Sequence, residues 1–277
     1  MWTNAAWPGR SIPRSTRKGA ELAAYSALVS AVEGNTTFYA LPSIETAKNW
    51  AESTPNDFRF MFKFPRTVTH ERKLRDTADL VGNFFEVLEP CLAKMHPVAI
   101  QLPASFGPDS IDVLDAFLRS VPSMVRYAVE VRHLDFFDGG SVERRLNDML
   151  FERGADRIIL DSRAVFAGPR QTPAEHEAFE NKPRVPVRAV ATNDCPVVRF
   201  IGQTAPEANP EFWAPWVDTV ARWIHDGRSP IVFIHTPDNA AAIELSRQFY
   251  NEVRAKVPDL AAQPEAPPVD DPALFDI

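Results

Sequence analysis

The chain has 277 residues, 45% of them hydrophobic, a net charge of -7 and a pI near 5.4. That length suits one (β/α)8 barrel without a second domain, and the apolar fraction can fill a large core. The acidic balance argues against a general nucleic-acid coat and against a membrane-surface binder.

Local features narrow the classes further. No apolar run reaches transmembrane length, and the first residues lack the basic and apolar regions of a signal peptide. Neither a Gly-x-Gly-x-x-Gly nor a Walker pattern occurs, so no nucleotide cradle is visible. Cys91 and Cys195 stand far apart without metal-ligand spacing. Two free thiols in a reduced cytoplasmic setting, with no cofactor, are expected.

In chain order, residues 18–30 read as a first helix. Seven short apolar runs, each ending in a polar or ionisable cluster, are expected as strands: 31–35, 59–63, 98–101, 127–130, 158–161, 197–199 and 231–235. Amphipathic stretches of helical length lie between them. Ser43 is placed to cap a helix carrying Ala47 and Trp50. Leu80, Phe84, Leu88, Cys91 and Met95 make one helical face, and Ile111, Leu114, Phe117, Leu118 and Val121 the next. Gly139-Gly140-Ser141 opens a helix through Leu146 and Leu150. Trp213, Trp216, Val217, Val220, Trp223 and Ile224 mark a later one, and Ile243, Phe249, Tyr250, Val253 and Val257 the last. These stripes read as helix-to-sheet packing. The long Pro-rich stretch 163–193 reads as a lid or as a tolerated excursion. Residues 258–277 are Pro-rich and acidic and read as a disordered tail behind a single domain, 1–257.

The alternation predicts an α/β, TIM-type barrel with its chemistry at the C-terminal strand ends. Alternate strand residues face the lumen, and a charge fits poorly against the helix layer. With Phe60, Phe62 and Phe64 outward, Arg59, Met61 and Lys63 point inward. With Val129 and Val131 outward, Glu130 and Arg132 point inward. Placing Ile158 and Leu160 outward sends Asp161 inward. The same rule sends Glu33, Asn35, Gln101, Arg199 and His235 to the lumen or its rim, with His70 and His133 just past two strands. Three acids, Glu33, Glu130 and Asp161, then face three strong bases, Lys63, Arg132 and Arg199.

Such a set is either an ion-pair network holding register or a pocket for a small anionic or sugar-like ligand. In the second case Arg and Lys clamp a phosphate or carboxylate, and Glu130 or His235 moves protons. Glu130, Lys63, His235 and Asp161 are the candidate catalytic residues. Asn35, His70, Gln101, Arg132, His133 and Arg199 are candidates for binding. Glu130, His133, Asp161 and His235 are also divalent-metal ligand types, although three nearby cations oppose a metal ion. Glu33 and Glu130 resemble a glycosidase carboxylate pair, subject to their separation. Ser162 and Thr236 are weak nucleophile candidates. Residues 59–75 carry six Lys or Arg against one Glu. They read as a solvated loop, a guide for an anionic substrate, or a phosphate-backbone contact.

Val32-Glu-Gly-Asn-Thr-Thr-Phe-Tyr-Ala-Leu-Pro42 resembles the signature of the YecE-like proteins, domain-of-unknown-function family 72. Trp50 with Thr54-Pro55, Phe58-Arg-Phe, Lys63-Phe-Pro-Arg66, Thr69-His70, Gln101-Leu-Pro103, Glu130-Val-Arg-His133, Leu160-Asp-Ser-Arg163 and His235-Thr-Pro-Asp-Asn239 follow in the same order. The resemblance spans about residues 2–257 and implies a TIM-type barrel without an established reaction. The last motif places the chain nearer the YecE branch and adds Asn239 to the binding candidates. Family members begin with a strand that precedes two spaced Trp residues. Trp2 and Trp7 resemble that pair, so the first strand is expected to be missing and the start to lie upstream.

Three functions remain open on this reading. They are an acid/base enzyme on a small anionic or sugar-like substrate, a non-catalytic binding or scaffold barrel, and a metal-dependent phosphodiester-processing or nucleic-acid-associated barrel. No membrane partner is expected, and the oligomeric state is not legible.

Overall fold

The computed structural model describes residues 2–264. Among them, seven short strands run parallel: β1 Ala31–Gly34, β2 Arg59–Phe62, β3 Val98–Gln101, β4 Tyr127–Glu130, β5 Asp156–Asp161, β6 Val197–Ile201 and β7 Ile231–His235. β1 pairs with β2, and β3 to β7 pair in sequence order. The single bridges Lys63–Ala99 and Phe60–Met95 carry the sheet from β2 to β3. One small or apolar residue from each strand meets in a shared inner cluster: Ala31, Met61, Ala99, Ala128, Ile158, Val197, and Phe233 with Ile231. The sheet is therefore curled, with its concave face filled at one end by side chains.

The expected closed barrel is not what these residues form. No ladder joins β7 to β1, so the architecture is α/β with a curled, open parallel sheet.

The helices follow the chain as α1 Glu21–Ser26, α2 Thr36–Tyr39, α3 Ile44–Glu52, α4 Ala78–Val87, α5 Ile111–Ser120, α6 Ser141–Glu152, α7 Arg163–Ala167, α8 Pro173–Asn181, α9 Pro210–His225 and α10 Ala242–Lys256. Ser43 caps α3 by accepting from Thr46 N–H at 3.1 Å. The first helix is shorter than its apolar pattern suggests. The stretch 163–193 holds two helices, the second opened by a capping box between Thr172 and Glu175.

The convex face is apolar because strands buried on both faces must be. Phe60 and Phe62 stack at 5.1 Å, and Phe64 meets Phe84 at 4.7 Å. Each fully buried Phe contributes about 1.5–3 kcal/mol. Ile159, Phe200 and Ile234 do the same against Trp213, Trp216 and Trp223 of α9. Residues 258–264 fold back on α10, where Tyr250 Oη donates to Ala261 O at 2.7 Å and Arg254 Nε to Leu260 O at 2.9 Å. The rest of the expected tail, from residue 265, lies outside the described residues.

Candidate functional site

The polar strand ends collect on the concave face above the apolar cluster. Local packing explains why. Because Phe60, Phe62 and Phe64 occupy the helix side of β2, Met61 and Lys63 take the other side. Gly34 lets β1 approach, since a Cβ there would lie 2.2 Å from the Phe62 ring. Thr37, fully buried at the start of α2, accepts from Lys63 N–H at 3.2 Å and lies 3.0 Å from Gly34 O. It ties the turn after β1 to the end of β2.

Arg199 stands at the centre. Its guanidinium binds Glu33 through Nε and, at 3.3 Å, through Nη2, and it binds Glu130 Oε2 through Nη1 at 2.7 Å. Arg132 closes on the other oxygen of Glu130 at 2.7–2.8 Å. His235 Nε2 lies 3.0 Å from Glu33 Oε2, and Asn35 donates to that oxygen at 3.3 Å. Lys63 Nζ donates to Gln101 Oε1 at 3.0 Å. Glu33, Lys63, Gln101, Glu130 and Arg199 are all buried.

Charge follows from these contacts. Burial alone would raise the Glu33 carboxyl, yet Arg199, Lys63 and His235 hold it well below the usual range. Burial likewise opposes Glu130, but Arg199 and Arg132 bring it down to about 2. Burial and Arg199 push the Lys63 amine down to about 8, against the pull of Glu33 and Glu130. Burial also lowers His235, against the pull of Glu33. His70 is pushed down to about 4 by burial and then by Arg132 and Arg66. Its Nδ1 sits 2.9 Å from Thr69 Oγ1, and its ring packs edge-on against Phe38.

One further group joins the cluster. Lys182, at the end of α8, is lowered by burial and by Arg199, and is also coupled to Glu33, Arg132 and Glu130. The excursion 163–193 thus brings Lys182, half-buried, within electrostatic reach of the site. Nothing in the weak periodicity of that stretch marks the residue, although Thr172-x-x-Glu175 announces the helix that carries it.

Asp161 is a correction. Ile158 belongs to the inner cluster, while Ile159 packs with the tryptophans of α9. Asp161 shares the side of Ile159 and faces the helix layer. There it accepts from Trp216 Nε1 at 2.7 Å and from Arg163 at 2.8 and 3.0 Å. The expected balance of three acids and three bases becomes two carboxylates, Glu33 and Glu130, beside four basic groups, Lys63, Arg132, Lys182 and Arg199.

Two binding candidates have structural partners as well. His133 Nδ1 accepts from Asp135 N–H at 3.3 Å and caps the turn after β4. Asn239 holds a left-handed turn at φ 55°, its Oδ1 accepting from Thr236 N–H and its carbonyl from Trp7 Nε1 at 3.0 Å. The four metal-ligand types Glu130, His133, Asp161 and His235 do not converge, and no cluster of three or more His, Cys, Asp or Glu suited to a metal occurs among the described residues. Glu33 and Glu130 both end on Arg199, so a guanidinium fills the space a glycosidase would leave for a sugar. Ser162 Oγ donates to Pro183 O at 2.8 Å, a carbonyl that is no base, and Thr236 Oγ1 donates to Asp238 Oδ1 at 3.2 Å. Among the described residues, no helix is long and apolar enough to cross a membrane.

The model of the family described as "Protein of unknown function DUF72" matches residues 1–269. The UPF0759 protein YecE of Escherichia coli K12 is 42% identical over 261 residues, covering 94% of this chain and 96% of that protein. Its counterpart in strain O157:H7 is 41% identical over the same length. Among solved structures, a DUF72 family protein from Thermotoga maritima superposes with a TM-score of 0.67 at 22% identity, covering 92% and 96% of the two chains. One from Enterococcus faecalis gives 0.64 at 19%, covering 85% and 95%. At these identities the structures establish the α/β fold alone.

Proposed function

Because this chain belongs to the DUF72 family of proteins of unknown function, we propose its function from the concave site itself: an α/β enzyme that binds a small anionic substrate on the concave face of its curled sheet and moves a proton through Lys63. One observation carries this reading. Four basic groups, Lys63 and Arg199 buried and Arg132 and Lys182 half-buried, surround only two carboxylates, and both carboxylates are already engaged by arginine. Cationic hydrogen-bond donors left in excess in a low-dielectric site favour an anion, and Arg with Lys supplies bidentate and point-charge contacts.

The roles divide by pKa. Glu130, held to about 2, is a weak base near neutrality and anchors Arg132 and Arg199. Lys63, at about 8, lies near the operating pH of a general acid or base. Gln101 orients its amine. His235, beside Glu33, can hand on the proton, and Asn35 and His70 contribute neutral polar contacts to the ligand.

Thermal-shift titration with inorganic phosphate, a sugar phosphate and a dicarboxylate tests this, together with native mass spectrometry of the purified chain. Stabilisation by at least one anion, lost in Lys63→Met and retained in an exposed-lysine control such as Lys48→Met, is the expected result. If no anion stabilises the protein, or Lys63→Met responds as well as the parent, the reading fails. A binding role without turnover is the second reading. The fully ion-paired state of both carboxylates favours it, and it predicts an anion recovered unchanged.

A further inference from the structure

His70 is carried by a π-helical turn, Thr67–Glu71, that follows β2. Such turns are rare and recur at functional sites. This one is firmly held. Just past it, Lys73 and Leu74 take left-handed backbone at φ 47° and 68°, which non-glycine residues keep only where surrounding structure imposes it. Leu74 is buried there, and its N–H donates to Val68 O at 2.9 Å. The His70 ring packs against Phe38 of α2, and Arg132, Glu130 and Lys63 of the concave site all act on it.

Hydrogen bonding fixes which ring nitrogen carries the proton. The Thr69 hydroxyl belongs to a fully buried residue and has one hydrogen to give. Pro65 O lies 3.4 Å from it and His70 Nδ1 2.9 Å. Pro65 O already accepts from Val68 N–H at 3.0 Å and from Thr69 N–H at 3.2 Å, which occupies both lone pairs. The hydroxyl therefore donates to Nδ1. His70 is neutral near pH 7, since burial, Arg132 and Arg66 push it down to about 4. A neutral imidazole that accepts at Nδ1 carries its hydrogen on Nε2. His70 is half-buried, and its Nε2 makes no hydrogen bond to any of the described residues, so that N–H is left for a ligand.

The other groups at hand are donors as well. Lys63, Arg132 and Lys182 add cationic N–H groups within electrostatic reach of one another. Both oxygens of Glu33, both of Glu130, and Gln101 Oε1 already accept from protein donors. A ligand that keeps an O–H meets engaged acceptors there, whereas a fully ionised one meets donors. With Arg199, four cationic groups against two carboxylates leave two positive charges for a ligand to balance.

We propose, building on the anion-binding reading of this face, that its ligand is a phosphoryl dianion and that Thr69 is a positioning residue that fits the site to that charge state by holding His70 as a neutral Nε2–H donor. A phosphoryl group offers three strong acceptor oxygens to donors from separate segments, where a carboxylate offers two.

Two measurements on the full chain test this. With 15N-labelled histidine, long-range 1H–15N correlation of the ligand-free protein should show His70 with a protonated Nε2 and a bare Nδ1, the signal being assigned by its loss in His70→Gln. Thr69→Val keeps the buried volume and leaves Pro65 O with its two backbone donors. It should yield a mixture of both tautomers, and Thr69→Ser should restore the single one. Thermal-shift titrations at about pH 7.5 then compare glycerol phosphate with glycerol sulfate, which share a shape but carry about two charges and one. The phosphate should bind at least about tenfold more tightly, and Thr69→Val should weaken it about tenfold while Thr69→Ser does not. A proton found on Nδ1, or a Thr69→Val tautomer identical to the parent's, overturns the proposal. Equal binding of the two esters also overturns it, while leaving an anion site in place. Stabilisation by neither ester removes the anion site itself and the proposal with it.

Discussion

Arg199 and Glu130 meet at 2.7 Å although they stand on β6 and β4, with β5 between them. The same guanidinium also reaches Glu33 on β1. One side chain thus spans the concave face and neutralises both of its carboxylates.

Arg199→Met strips both carboxylates of their shared partner. Breaking a buried pair in this way costs about 3–5 kcal/mol. Urea unfolding at pH 7 should show that loss, and Arg199→Lys should recover part of it, since an ammonium cannot serve both partners with a planar fork.

Acid should expose the same linkage. Glu33 and Glu130 have folded pKa values below the ordinary glutamate value of about 4.3. The folded state therefore binds fewer protons than the unfolded one in that range. Their contribution is complete above about pH 5 and is lost as pH falls through 4 toward 2. Melting midpoints between pH 7 and pH 3 should fall more steeply for the parent than for Glu130→Gln.

Lys63 gives the opposite window. Its folded pKa of about 8 lies below the ordinary lysine value, so below pH 8 a buried charge opposes folding. That cost fades as pH rises from 8 toward the unfolded value. Lys63→Met should lack this alkaline gain while folding at least as well at pH 7. An NMR titration of the reductively 13C-methylated protein should place one lysine resonance near pH 8. Its absence in Lys63→Met assigns it.

Gly34→Ala is expected to be disruptive despite adding one methyl group. The new Cβ meets the Phe62 ring, which is locked between Trp50 and Phe60. Overpacking of this kind costs about 1–3 kcal/mol. Phe62→Leu in the same chain should restore part of the stability measured by calorimetry.

Asp161 separates support from chemistry. Trp216→Phe removes one hydrogen bond to a fully buried carboxylate and should cost about 1–3 kcal/mol. Asp161→Asn should lower the melting midpoint without weakening anion binding, in contrast to Lys63→Met. Loss of anion binding in Asp161→Asn would place it in the site after all.

Much of this was readable before any coordinates. Seven apolar runs coincide with seven strands because short buried strands in a parallel sheet are apolar on both sides and stop where polar groups begin. On β2 and β4 the bulky Phe and Val residues identify the outer face, and Lys63, Glu130 and Arg132 follow. On β5 that logic breaks. Ile158 and Leu160 look like outward residues, yet the lower concave layer is itself apolar, so Ile158 fits inward and Asp161 turns to Trp216. Hydrophobicity alone cannot orient a strand when both faces are apolar. Lys182 was illegible for another reason: its place depends on how an irregular excursion folds back, which no periodicity records.

The span of Arg199 also bears on synthesis. Its carboxylate partners lie 166 and 69 residues earlier in the chain, and His235, beside Glu33, lies later still. No nascent fragment ending before β7 can hold the complete charge arrangement. During translation, then, Glu33 and Glu130 emerge long before the residue that neutralises them. The pocket becomes a late-assembled feature, and the order of the chain itself guards against a half-made protein carrying a finished site.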